Sequence, residues 1–268
     1  MSFSVYYTVT AFLPRQSRDK LSIVGCALLT FFLVTGCTKK IKFSSREAVD
    51  QIQAQVVDFK TVRGRAWVSA KSNDQSISFP AIIAIDRTNP KKPLMRIEGT
   101  DQLGATHALL VLEPSQKLIW IDFDHEERMV IPRQWAGIPV GDLPDLLLGA
   151  VRLPERGVVS AAGEDGFEVR SGQSSYQYGL SSIDPGPRLV LSSVRATMVD
   201  HTVAKGREAK YEASYSKFLE RDQFYLPQEI HLMGEVVGGK QPGKLELKIN
   251  WRERTWNEKI DAGIFTAQ

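Results

Sequence analysis

Cysteine is almost missing from this chain: its 268 residues contain two, Cys26 and Cys37, both inside or at the end of the first apolar run. Everything after that run is free of thiols, which excludes disulfides and thiolate metal sites from the folded part. Histidine is scarce too. His107, His125, His201 and His231 stand far apart, with no HExxH pattern and no i, i+4 pair, so the usual zinc-hydrolase signatures are absent. No GxSxG elbow and no glycine-rich phosphate loop occurs. An enzyme is therefore the weaker class, and no cofactor or metal is expected. An excess of one charge is lacking as well: 34 Lys+Arg stand against 31 Asp+Glu. Arg15, Arg18 and Lys20 belong to the N-terminal segment, so the rest is close to neutral, and no nucleic-acid partner is expected. What remains is an ordinary globular balance, 43% hydrophobic and 24% charged, long enough beyond residue 36 for one domain with a sizeable core.

The chain also lacks an apolar run of the roughly 20 residues that a membrane-spanning helix needs. Its longest, "LSIVGCALLTFFLV" (21–34), follows the basic stretch "PRQSRDK" (14–20) and ends in Thr35-Gly36-Cys37. Basic, apolar, small is the order of a signal peptide. With Val34 three residues before it, Cys37 resembles the acylated cysteine of a bacterial lipobox. Residues 1–36 are thus expected to be a lipoprotein signal peptide and 37–43 an acylated tether, with an uncleaved anchor as the alternative. Cys26, after Ile23-Val24-Gly25, is a second candidate. An acylated Cys37 would carry on the order of 40 methylenes, about 30 kcal/mol of membrane affinity. Thr38, rather than Asp, follows the cysteine, which points to the outer membrane and its periplasmic face. The basic run "TKKIK" (38–42) could lie against lipid headgroups.

Past the tether, Ser44 and Glu47 have capping-box spacing, and Val49, Ile52, Val56 and Phe59 recur at helical intervals, predicting an amphipathic helix over 44–60. From Val62 onward about a dozen strand-like runs follow, separated by turn-rich pieces such as "TNPKKP", "GEDG" and "GGKQPG". The fold class expected is mainly β (α+β): a half-open antiparallel barrel of about eleven strands, with the N-terminal helix beside it. One segment interrupts the strands. "PVGDLPDLLLGAVRLP" (139–154) has Leu143, Leu146, Leu147 and Val151 at helical spacing and then Gly149 and Pro154 as stops. It predicts a short mid-chain helix that is either a plug completing the core or a lid over a cavity.

Several strands are apolar on both faces. In "SFPAIIAID", Phe79, Ala81, Ile83 and Ile85 share one face, and Ile82 and Ala84 the other. One face can pack on helix, while the other, lined by Trp67, Phe79, Ile83, Leu110 and Trp120, would be filled or accept an apolar ligand. The polar cluster "DFDHEER" (122–128) lies between two strands and reads as a hairpin turn, since it lacks the glycine a calcium loop requires.

The order of lipobox, amphipathic helix, antiparallel sheet, short apolar helix and further sheet resembles the outer-membrane lipoprotein receptor family LolB and its LolB-like relatives, which share a half-open barrel with the periplasmic carrier LolA. Three stretches carry the resemblance: "DQLGATHALLVLE" (101–113), "GIPVGDLPDLLLGAVRLP" (137–154), and "LELKINWRERTW" with the closing "IDAGIF". The resemblance implies a non-enzymatic protein over residues 44–268 that binds lipoprotein acyl chains or other lipid and receives them from a LolA-like carrier. It also implies that Trp67, Phe79, Ile83, Leu110 and Trp120 line an acyl cavity, that Leu143, Leu146 and Leu147 gate it, and that Leu103 touches the bilayer during delivery. Here Gln102 stands where the family pattern commonly has proline. The alternative is a structural or assembly lipoprotein with a filled barrel that binds a protein partner.

Overall fold

The computed structural model describes residues 44–267 except 58–59, 73–74, 132, 151–152, 155–156, 163–164, 184–187, 201–206, 222–223 and 238–242. The expectations for Cys26, Cys37, the tether, Phe59 and His201 fall outside the described residues, as does the side chain of Val56.

The first helix, α1 (Ser45–Val57), begins where the sequence predicts. The Ser44 hydroxyl accepts from the Glu47 amide at 3.2 Å, and the Ser44 amide donates to the Glu47 carboxylate at 2.9 Å. These reciprocal bonds satisfy amides that would otherwise be orphaned at the helix start, and they hold the Glu47 carboxyl below its usual range. Ala48, Val49 and Ile52 are buried on one side of the helix.

Six strands follow as a meander: β1 (Thr61–Ser72), β2 (Gln75–Asp86), β3 (Leu94–Thr100), β4 (Thr106–Leu112), β5 (Leu118–Asp122) and β6 (Glu127–Ile131). The chain then makes a small hairpin, β7 (Gln134–Trp135) with β8 (Ile138–Pro139), and a single helical turn, α2 (Leu143–Leu146). A second meander comprises β9 (Val158–Ala161), β10 (Gly166–Ser171), β11 (Ser174–Ile183), β12 (Arg188–Asp200), β13 (Arg207–Arg221), β14 (Phe224–Val237) and β15 (Lys244–Trp256), before a closing 3-10 turn, Ala262–Phe265.

All strands but β7 and β8 join one antiparallel sheet of thirteen, in the order β6-β5-β4-β3-β2-β1-β15-β14-β13-β12-β11-β10-β9. The sheet is open, with β6 and β9 as its edges, and two strands larger than expected. The pairing of β1 with β15 fuses the two meanders, placing Val68 opposite Ile249 and Ala66 opposite Trp251. This pairing is the long-range one: every other pair in the sheet joins strands consecutive in the chain.

Strand alternation gives the sheet a core face. Ala66, Val68, Ala81, Ile83, Ile85, Met95, Ile97, Leu110, Leu112 and Leu118 from the first meander join Tyr178, Val194, Ala213, Tyr215, Ile230, Leu232, Leu247 and Ile249 from the second in one buried cluster. The helix α1 packs on the β9 and β12 part of this face.

The opposite face of the first meander is also apolar, and it has its own cover. Ala84, Leu109, Val111 and Ile119 are buried there outside the main cluster. The C-terminal turn lies on β3, and its Phe265 is fully buried. Arg96 anchors it by donating from Nη1 to the Ile264 carbonyl at 3.0 Å. Truncation of Phe265 to alanine should cost about 3–5 kcal/mol, the range for a large aromatic lost from a packed site. Urea denaturation should therefore show a lower midpoint at unchanged slope.

Candidate functional site: the core face and its plug

The segment linking the two meanders runs across the core face of β13 and β14. At one end Gly137 lies against Ala209 and Glu235, and at the other Gly149 lies against Pro227 and Tyr215. Between them Leu143, Leu146 and Leu147 have no exposed surface and Leu148 has almost none. In this conformation the segment is a plug. Sequence periodicity suggests helix over much of 139–154, yet only one turn forms. The Leu148 and Ala150 amides both return to the Asp145 carbonyl, and Gly149 reverses the chain at φ +67°, a conformation that a side chain would strain.

One polar contact is buried among these leucines. Asp145, inside α2, pairs with Arg87 at 2.5 Å, and the two side chains are 4% and 6% exposed. Arg87 follows the last residue of β2, so this ion pair joins the plug to the first meander, across the sheet from the strands the plug covers. Neither residue stands out from spacing. The only hint in the sequence is an acid in the otherwise apolar "LPDLLLGA".

Of the residues expected to line a cavity, Ile83 and Leu110 are buried in the core cluster, and Phe79 and Trp120 are partly buried against it. Trp67 is not with them. It pairs with Pro80 and Asn250 in the ladder, points to the opposite face and is 44% exposed. Its neighbours Ala66 and Val68 take the core positions, and successive side chains of a strand alternate between faces. Trp67 instead borders a hollow of about 370 Å³ on the opposite face, with Ser69, His231 and Lys248. A second hollow of about 530 Å³ on that face is lined by Arg195, Lys210, Glu212, Met233, Glu235 and Glu246, among others.

Leu103 is 94% exposed, at the tip of the β3–β4 turn. The turn is stiff. Asp101 Oδ1 accepts from the amides of Leu103 and Ala105, each at 2.8 Å, and Gly104 takes φ +89° with open space where a side chain would be. The β5–β6 turn lies at the same end of the sheet, as a meander requires, and contains the half-exposed Phe123. "DFDHEER" thus forms a hairpin turn, with Asp122 accepting from the Asp124 and His125 amides.

His107 ties the two turns together, with Nδ1 at 2.7 Å from Asp124 and Nε2 at 3.3 Å from Asp101. The hydrogen bonds to Asp124 and then Asp101 raise its pKa above the ordinary histidine value. A raised folded-state pKa makes the clamp contribute fully below the unfolded value near 6.5, and the contribution fades as pH rises through the folded value.

No family model matches the chain, and no curated protein does. Among solved structures it is similar to a LolA superfamily protein from Nitrosomonas europaea, with a TM-score of 0.47 and 8% identity over 84% of this chain and 98% of that one. It is also similar to a domain from Vibrio parahaemolyticus described as an outer membrane lipoprotein-sorting protein, with a TM-score of 0.45 and 8% identity over 83% and 97% of the two chains. A DUF1329 family protein from Desulfovibrio piger aligns with a TM-score of 0.44 and 10% identity over 83% and 97%. At this distance, function has to be argued from the chain's own residues.

Two outcomes check the geometry. Asp145→Asn removes the carboxylate that offsets the buried Arg87 charge and should cost about 3–5 kcal/mol, whereas the double change Arg87→Met with Asp145→Leu should recover most of it; thermal unfolding reads both. In an NMR titration His107 should show a pKa above 6.5 that falls in Asp124→Asn, because the larger of its two carboxylate contacts is gone.

Proposed function

We propose that this chain is a lipid-anchored, non-catalytic acyl-chain receptor of the LolB-like kind, which takes up lipoprotein acyl chains beneath its plug and passes them to the membrane that holds Cys37. The observation that carries this reading is a largely apolar core face covered by a segment attached through leucine side chains and a buried ion pair. The sheet ladder itself does not include that segment.

The energetics make an exchange feasible. Re-exposing four leucines costs about 8 kcal/mol at roughly 2 kcal/mol each. Arg87 and Asp145 both regain water as the plug lifts, so separating them adds little. An acyl chain of about sixteen carbons returns about 12 kcal/mol at ~0.8 kcal/mol per methylene. The terms come within a few kcal/mol of each other, which is what a receptor needs if it is to both accept and release its cargo. In this reading Ile83, Leu110, Phe79 and Trp120 contact the acyl chain, Leu143, Leu146 and Leu147 are the gate, and Leu103, held out by the Asp101 turn, meets the bilayer. A LolA-like carrier is the donor, and the outer membrane the destination.

The tight packing of the plug favours one other reading, a scaffold whose interior stays closed and whose surface binds a protein. Native mass spectrometry of a soluble form lacking residues 1–37, mixed with a diacylated peptide, separates the two. A stoichiometric adduct supports the receptor, and absence of any adduct supports the scaffold. In transfer to liposomes, Leu103→Glu should retain acyl binding but slow delivery at least tenfold, since a carboxylate near the bilayer centre costs about 2.5–3.5 kcal/mol on insertion scales.

A further inference from the structure

At the end of the sheet away from Leu103, the core face of β15 holds a cation that pairs with no acid among the described residues. Arg254 pairs in register with Gly64, and Trp256 with Val62. The Arg254 guanidinium carbon lies 5.1 Å from the centre of the Trp251 ring and 5.7 Å from that of Trp256. Its Nη1 donates to the Pro227 carbonyl at 2.9 Å, but Nη2 is buried without a hydrogen-bond partner, and so is Nε1 of Trp251. Burial alone pulls the Arg254 pKa down, to about 10.

Two partnerless donors in adjoining side chains are costly in a folded protein, since each forgoes its bonds to water. A structural arginine is normally offset by a carboxylate, as Arg87 is by Asp145. Both donors belong to residues lining a hollow of about 280 Å³, together with Leu219, Gln228, Arg252, Glu253 and Trp256. Among the described residues of this lining, the acid is Glu253. It is exposed, and as the strand neighbour of Arg254 it points to the opposite face.

We infer that this hollow is a binding site for an oxyanion, a phosphate or carboxylate group, held by Arg254 Nη2 and Trp251 Nε1. Both donors are closed to solvent in this conformation, so an anion reaches them once the Arg254 guanidinium turns toward the hollow and presents the N–H edge that Pro227 does not occupy, the edge-on geometry in which arginine binds phosphate and carboxylate best. The hollow has room for a headgroup, and Leu219 and the two indoles offer apolar surface for the first carbons of a chain attached to it. This inference does not depend on acyl transfer under the plug: among the described residues, none of the plug lines the hollow.

The test uses the full chain in phosphatidylcholine nanodiscs, titrated separately with dodecyl phosphate, its uncharged analogue dodecanol and inorganic phosphate, followed by tryptophan fluorescence. Dodecyl phosphate should bind, and Arg254→Met should weaken it at least tenfold while leaving dodecanol within twofold. If inorganic phosphate binds with the same Arg254 dependence, the site takes a free oxyanion. If only the alkyl phosphate does, it takes an anionic amphiphile. Trp251→Phe, which removes only the Nε1 donor, serves if Arg254→Met does not fold, and should weaken dodecyl phosphate severalfold. Binding of both phosphates unchanged by these substitutions, or no phosphate binding at all, would overturn the inference.

Discussion

A sheet whose first meander is apolar on both sides must be covered twice there, and the remainder of this structure follows from how the chain meets that requirement. One cover is the plug with α1 on the core face, and the other is the C-terminal turn around Phe265. The two are attached differently. Phe265 sits in a small patch with the Arg96 bond to Ile264 beside it. The plug spans the face between β8 and β9, and its buried charge pair spans the distance back to β2. A buried pair adds little net stability but is costly to split while its charges stay buried. Such a contact favours one discrete seating of the plug over a range of partial ones.

The distribution of polar groups follows the same division. Charged ladders such as Arg195 with Glu212 and Lys248 with Glu246 lie on the face away from the core, where water screens them and each adds little. The core face is almost free of charge, and its polar atoms stand out for that reason. Buried Tyr178 and Tyr215 have hydroxyls without hydrogen-bond partners, and burial pushes their pKa values far above the ordinary range. Arg254 is the cationic counterpart. Packing alone does not require these groups, and apolar residues of similar volume would cover the same surface at lower cost.

Much of this was legible beforehand, for local reasons. The capping box at Ser44 and Glu47, the two-faced pattern of "AIIAID", the turn in "DFDHEER" and the strand character after Val62 are set by neighbours a few residues away. The length of the mid-chain helix was not legible. Leucine spacing continues past Leu147, but the Asp145 carbonyl draws the following amides back and ends the helix after one turn. Trp67 was expected on the face that lines the cavity. Its alternation with Ala66 and Val68, which was readable, sends it to the other face.

Other features depend on residues far apart in the chain. Pairing of β1 with β15, the contact of Arg87 with Asp145, the clamp of His107 on Asp101 and Asp124, and the stacking of Arg254 on its two indoles each depend on where the sheet brings separate strands. The sequence by itself determined the class of the protein: an antiparallel β domain with an interrupting apolar segment. Those properties follow from composition and from periods of two and three to four residues. Only the tertiary structure decided that the segment lies seated as a plug, which aromatics join the core face and which arginine is buried between two indoles. Burial and pairing are properties of the whole sheet, and no local pattern encodes them.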